Sequence, residues 1–158
     1  QLSEIESLLD ESISEARRIS HDLSPPLINL MDLEEILENL MQNWKKFYNI
    51  RVVKNNSSDR GVSDDLKLQL VRIIQEQIVN SHKHAKATQL QLVIRKTSQN
   101  LQLMYTDNGQ GFDINTIKNG IGIKNIELRL HKYQAKYKFK SSSKGTVFLV
   151  SINNNQTL

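Results

Sequence analysis

A chain of 158 residues with 38% hydrophobic and 24% charged residues has the apolar content of one packed domain plus an appended helix, without the charge excess that keeps chains unfolded. Its net charge of +4 comes from lysines and arginines spread along the sequence rather than gathered in a basic stripe, which argues against nucleic acid as a partner. The lack of cysteine excludes a disulfide framework, a thiolate zinc site and a cysteine nucleophile, and with neither a membrane-length apolar run nor a secretory pattern the expected compartment is the cytoplasm, with no membrane contact by this stretch.

Residues 3–22 place Ile5, Leu8, Leu9, Ile13, Ala16 and Ile19 at helical spacing behind a Ser3/Glu6 capping box. The spacing predicts a helix with one apolar face, ending at Ser24-Pro25-Pro26, because the prolines donate no backbone hydrogen bond and restrict the residue before them. That dipeptide is the expected domain boundary. A second helix is expected over 32–48, with Asp32 as N-cap and Leu33, Ile36, Leu37, Leu40, Met41 and Trp44 on its buried side. A short strand follows over 50–54, then a polar loop over 55–61, then a long helix over 64–84 whose apolar face is Leu66, Leu70, Ile73, Ile74, Ile78 and Val79.

Leu90, Leu92 and Ile94 alternate with polar residues, as do Leu101, Leu103 and Tyr105 after the turn-like 98–100, so these segments read as paired strands. A glycine-containing loop over 108–121 leads to a helix over 122–133, and strands over 136–140 and 146–152 close the chain before an asparagine-rich tail expected to fray. The order implies an α+β fold: a two-layer sandwich of one mixed sheet with helices on one face, plus the N-terminal helix.

Four short elements carry chemistry. Glu76 and Asn80 are one turn apart on the long helix and project from one face, where an amide oxygen beside a carboxylate suits magnesium and an adjacent base; the plainer reading is two polar residues on a solvated face. Asp107-Asn108-Gly109-Gln110-Gly111 follows a strand: the carboxylate can accept from an exocyclic amine while the glycines let backbone approach a flat ring, unless this is an ordinary turn. Gly120-Ile121-Gly122 precedes a helix whose first turn holds Lys124, an arrangement that suits an anion; a solvated lysine is the alternative. Gly145-Thr146 opens the last strand. Each is weak singly, and their joint order is the signal.

The segment Ile74 to Ala87, with Asn80-x-x-Lys83-His84-Ala85 at its centre, resembles the N box of the gyrase, heat-shock-90, histidine kinase and MutL ATPase superfamily, in the form found in one histidine kinase subfamily. Asp107-x-Gly109-x-Gly111-Phe112 is similar to the G1 box, Gly120-Ile121-Gly122-Ile123-x-Asn125-Ile126 to the G2 box, and Gly145-Thr146 to the closing Gly-Thr, so the resemblance covers about 33–152. It implies a Bergerat-type ATP-binding catalytic domain of a sensor histidine kinase over 27–158, with 1–26 the end of a dimerisation helix and its linker. ATP and magnesium are the implied cofactors. By the resemblance Asp107 binds the adenine amine, Asn80 ligates magnesium, Glu76 orients or activates at the phosphate end, and Lys83 and His84 lie near phosphates and ribose. Gly109, Gly111, Gly120 and Gly122 would shape the pocket and a lid over 112–119, with Lys124 beside the phosphates and Thr146 close to the adenine.

The same resemblance implies partners: the dimerisation and phosphoacceptor helices of the same protein, and the receiver domain of a response regulator. It places the acceptor histidine on a helix preceding this sequence and not at His21, despite the neighbouring Asp22. The whole protein is expected as a cytoplasmic kinase or the cytoplasmic part of a membrane-anchored receptor. His82 and His131 read as surface or packing residues. Where the family carries paired glycines after the G2 helix, this chain has Tyr133-Gln134-Ala135, which puts that turn's geometry in question. Two rival functions are an ATPase that hydrolyses nucleotide to drive conformational change, and an adaptor without nucleotide that binds through the N-terminal helix.

Overall fold

Along three strands the inward positions alternate strictly. Leu90, Leu92 and Ile94 are buried on one, Leu101, Leu103, Tyr105 and Asp107 on the next, and Thr146, Phe148, Val150 and Ile152 on the last, while the residues between them stay at least partly exposed. One face of a sheet is therefore covered and the other faces water. The computed structural model describes residues 25–57, 61–112 and 121–157. The helix expected over 3–22, with His21, lies outside them, as do Gly120 and the expected lid beyond Phe112. The chain divides into two compact units, Gln1–Met31 and Asp32–Leu158.

In the first unit, α1 spans Pro25–Leu30. The two prolines that were expected only to break structure open a short helix, since the first helical positions have no intrahelical acceptor for an N–H and lose nothing when it is missing.

The second unit contains α2 (Leu33–Gln42), β1 (Asn49–Asn56), α3 (Asp64–Asn80), β2 (Gln89–Lys96), β3 (Asn100–Asp107), α4 (Ile121–His131), β4 (Lys136–Ser142) and β5 (Gly145–Asn153). The sheet order is β1-β2-β3-β5-β4. The pairs β2–β3, β3–β5 and β4–β5 are antiparallel. Strand β1 lies parallel to β2, with Val52 opposite Leu92, because α3 carries the chain back across the sheet between them. The fold is the α+β sandwich with a mixed sheet that the element order implied.

Asp32 stands at the N-cap of α2 in extended conformation, and its backbone N–H donates to Glu35 Oε2 at 3.2 Å. The helix ends at Gln42, six residues before the expected stop. There the chain turns so that Trp44, Phe47 and Tyr48 gather around His82, whose Nδ1 is 2.8 Å from Tyr48 Oη. His82 and His131 are both exposed, and His82 also packs on the three aromatic rings.

Leu33, Ile36, Leu37 and Met41 of α2, Leu66, Leu70, Ile73, Ile74 and Ile78 of α3, and Ile126 and Leu130 of α4 are buried together with the inward strand positions. Each such side chain contributes about 1.5–3 kcal/mol by leaving water. The tail does not fray: a short 3₁₀ turn over Asn154–Gln156 is tied down by Asn154 Nδ2 donating to the Thr97 carbonyl at 2.7 Å. Ser63 N–H donates to the Thr157 carbonyl at 2.7 Å, so the chain end holds the start of α3. Asparagine content mimics a disordered tail, yet its amides satisfy a loop carbonyl.

The turn after α4 resolves the missing glycines. Gln134 itself takes the left-handed conformation at φ 49°, and the Ala135 N–H donates to the Leu130 carbonyl at 3.3 Å, closing the helix as glycine ordinarily does.

Candidate functional site

Asp107 ends β3 on the inward parity of that strand, which buries its carboxylate to 4% exposure. A charge there requires donors, and three are provided. Gly109 N–H donates to Oδ1 at 2.9 Å, Thr146 N–H to Oδ1 at 3.3 Å, and Ser81 Oγ to Oδ2 at 2.7 Å. A carboxylate offers about four lone-pair directions; among the described residues one, on Oδ2, has no protein donor. Behind Ser81, Tyr105 Oη donates to Ser81 Oγ at 2.9 Å. Burial holds the Tyr105 phenol well above its ordinary range, so it stays protonated, remains the donor, and leaves the serine proton for the carboxylate.

The final helical turn before this site is unusual. Helix α3 was expected to run to His84, but α-helical bonding stops at Asn80 and a π-helical turn takes Ser81–Ala85, followed by Lys86 at φ 50°. The wider turn brings the carbonyls of His84 and Ala85 against the loop after β3: Gln110 N–H donates to the Ala85 carbonyl at 2.7 Å and Gln110 Nε2 to the His84 carbonyl at 2.9 Å. π turns are rare and concentrate where a ligand is bound. Gly109 packs so tightly on this turn that a Cβ would collide with the Ala85 carbonyl, and Gly111 sits at φ 66° against the Ser142 carbonyl.

A cavity of about 210 Å³ opens in front of Asp107. Of the residues singled out by sequence, Glu76, Asn80, His84, Asp107, Gly111 and Thr146 line it. Gly109 is buried beside it, against Ala85. Gly122 lies in the first turn of α4. Lys83 and Lys124 are exposed and are not among the lining residues. Sequence reasoning passed over Gln77, Ser81 and Phe139 and gave Ala85, Phe112 and Ile126 no role beyond motif membership, yet all six line the same cavity. A signal for three of them existed: Gln77, Ser81 and Ala85 repeat at i, i+4 beside the row of Glu76, Asn80 and His84. Phe139 on the neighbouring strand stacks on Phe148 with centroids 4.6 Å apart, which gives the cavity an aromatic wall.

The arrangement joins a buried acceptor in an apolar hollow to a polar rim on one helix. An amine-bearing flat ring suits the first, and oxygen donors at Glu76 and Asn80 suit a hard cation. An amide oxygen at Asn80 would suit a cation that keeps most of its shell as water and substrate oxygens, with the Glu76 carboxylate left beside it as a base.

No family model matches the chain. By sequence it is 30% identical over 148 residues to the sensor histidine kinase MctS of Rhizobium johnstonii, covering 87% of this chain and 31% of that protein. It is 24% identical over 155 residues to the signal transduction histidine-protein kinase/phosphatase DegS of Brevibacillus brevis, covering 96% of this chain and 40% of that protein. The chain therefore spans less than half the length of these curated relatives. Among solved structures, the histidine kinase domain of the Erythrobacter litoralis blue-light activated histidine kinase superposes with a TM-score of 0.65 at 14% identity, over 80% of this chain and 63% of that one. Acinetobacter baumannii AdeS superposes with a TM-score of 0.64 at 16% identity, over 96% and 84%. The fold is that of histidine kinase domains, and the sequence relatives support a histidine kinase catalytic domain.

Proposed function

We propose that this chain binds ATP with magnesium and is the catalytic domain of a two-component sensor histidine kinase. In this reading it transfers the γ-phosphoryl group to a histidine of its own protein's dimerisation helices, for relay to an aspartate of a response regulator. The observation that carries the reading is the Asp107 carboxylate, buried, supplied with three protein donors, and left with one acceptor direction at the wall of an apolar cavity.

That direction takes the exocyclic amine of adenine, with Thr146 and Gly111 beside the ring and Phe139 closing the apolar wall. Asn80, one turn from Glu76, is assigned to magnesium, which when bound neutralises the charge of the phosphates. Glu76 orients the attacking imidazole and favours loss of its proton as the nitrogen–phosphorus bond forms and the bond to ADP breaks. His84 on the cavity rim is assigned to ribose and phosphate. Lys83, Lys124, Gly120 and Gly122 are assigned to the phosphate end, where a helix N-terminus adds its positive field. The chemistry asks for positioning and charge stabilisation more than for covalent steps by the protein.

The test is calorimetric titration of magnesium-ADP and magnesium-ATP into the chain and into Asp107→Asn. Asparagine keeps the shape and can still accept from Gly109 and Thr146, but it turns a donor toward the amine. Saturable binding that weakens by about 100-fold in the variant is expected, about 2.7 kcal/mol. Absence of binding by the parent chain, with its circular dichroism intact, sinks the nucleotide reading.

A further inference from the structure

Gln77 is out of place by ordinary packing rules. It lies on α3 one turn before Ser81, is 4% exposed, and is flanked by the fully buried Ile73, Ile74 and Ile78. Its Nε2 is buried with no hydrogen-bond partner, the sole such side-chain atom among the described residues. An unmet amide donor in an apolar wall is destabilising, and an apolar residue of similar volume would avoid it. Gln77 also lines the cavity in front of Asp107, and turning about its broad terminal torsion presents the amide to that space.

We propose that Gln77 is a base-reading residue, whose amide N–H donates to the ring nitrogen next to the exocyclic amine that Asp107 accepts. The inference rests on the nucleotide reading above and extends it to selectivity. Gln77 lies one turn before Ser81 on α3, Ser81 Oγ donates to Asp107 Oδ2, and the acceptor Asp107 and the donor Gln77 line the same cavity. The edge of a 6-aminopurine presents the complement, an amine donor beside an acceptor nitrogen. A 6-oxopurine presents a carbonyl acceptor beside a ring N–H, so it opposes a carboxylate to a carbonyl and one donor to another. Both contacts fail together, and such double mismatches exclude a ligand more sharply than the loss of one favourable bond. The unmet donor is thus a feature of the ligand-free protein that the correct base satisfies.

The experiment titrates the full chain, and its Gln77→Leu variant, with ADP, 1-deaza-ADP and inosine diphosphate in magnesium. In 1-deaza-ADP the ring nitrogen becomes C–H. The parent chain is expected to bind ADP about tenfold more tightly than 1-deaza-ADP, the worth of one hydrogen bond, and to bind inosine diphosphate more weakly still. Gln77→Leu is expected to weaken ADP about tenfold, to leave 1-deaza-ADP unchanged so that the two become equal, and to raise the melting temperature of the ligand-free protein. Equal affinity of the parent chain for ADP and 1-deaza-ADP overturns the role of Gln77 while leaving the nucleotide reading intact, and this comparison needs no variant to fold. A preference that persists unchanged in Gln77→Leu overturns it equally. Failure of the parent chain to bind ADP overturns both.

Discussion

Removing the Ser81 hydroxyl separates two roles that a single bond cannot. In Ser81→Ala the Asp107 carboxylate loses a charge-assisted donor now at 2.7 Å, and the buried Tyr105 phenol loses its acceptor at 2.9 Å. The first loss is worth about 1.5–3 kcal/mol and the orphaned phenol about 1–3 kcal/mol. With partial relaxation, a total near 3 kcal/mol is expected. Tyr105→Phe alone leaves the Ser81–Asp107 bond standing and should cost about 1 kcal/mol. The double variant has no phenol to orphan, so it should recover about 1 kcal/mol relative to Ser81→Ala, in spite of carrying one more mutation. Urea unfolding followed by fluorescence of the buried Trp44 measures all four proteins. If the double variant is less stable than Ser81→Ala, by the amount that Tyr105→Phe costs alone, the directional chain from phenol to serine to carboxylate is wrong.

Gln134→Gly should stabilise the protein by about 0.5–1 kcal/mol, because glycine adopts the left-handed conformation that Gln134 holds at φ 49° without steric cost; a higher urea midpoint checks it. Just before that turn, Lys132 Nζ is 2.6 Å from Asp65 Oδ2, and the Tyr133 phenol donates to the same carboxylate. The Lys132 hydrogen bond first, then that from Tyr133, holds the Asp65 carboxyl below its ordinary range. A depressed carboxyl value contributes stability above the unfolded-state pKa and loses it as pH falls through the folded value. Asp65→Asn should therefore cost about 0.5 kcal/mol at neutral pH, as for other exposed pairs, and nothing below the depressed value; urea midpoints for both proteins from neutral to acid pH test that convergence.

Strands β2 and β3 were legible because each has one wet and one dry face, so Leu90-x-Leu92-x-Ile94 and Leu101-x-Leu103-x-Tyr105 announce themselves by alternation. The end of α3 was not legible. The apolar stripe stops at Val79, and nothing in the polar run Ser81 to His84 says that the backbone widens there; the π turn follows from the loop after β3 pressing Gln110 onto the Ala85 carbonyl, a contact between residues far apart in sequence. The stop of α2 was hidden likewise, since Trp44 fits the helical stripe but is buried in an aromatic cluster completed by His82. In the candidate site, Asp107, Gly109 and Gly111 are ordinary turn residues after a strand and stood out only because they fall in order with the other three elements. Ser81 and Gln77 did not, because a small or amide side chain among apolar neighbours says nothing of its direction until Asp107 is placed opposite.

Strand register carries a further consequence. On β3 the dry positions are 101, 103, 105 and 107, so the hydrophobic pairing that aligns Leu103 with Val150 also aligns Asp107 with Thr146. A slip of one residue would turn Thr106 toward the cavity and Met104 toward the core. The chain thus has no way to assemble the carboxylate wrongly while packing its sheet correctly, and a misregistered molecule would show itself first as poorly packed and only then as unable to bind. Quality control acting on exposed hydrophobic surface would in this protein also be quality control on the site.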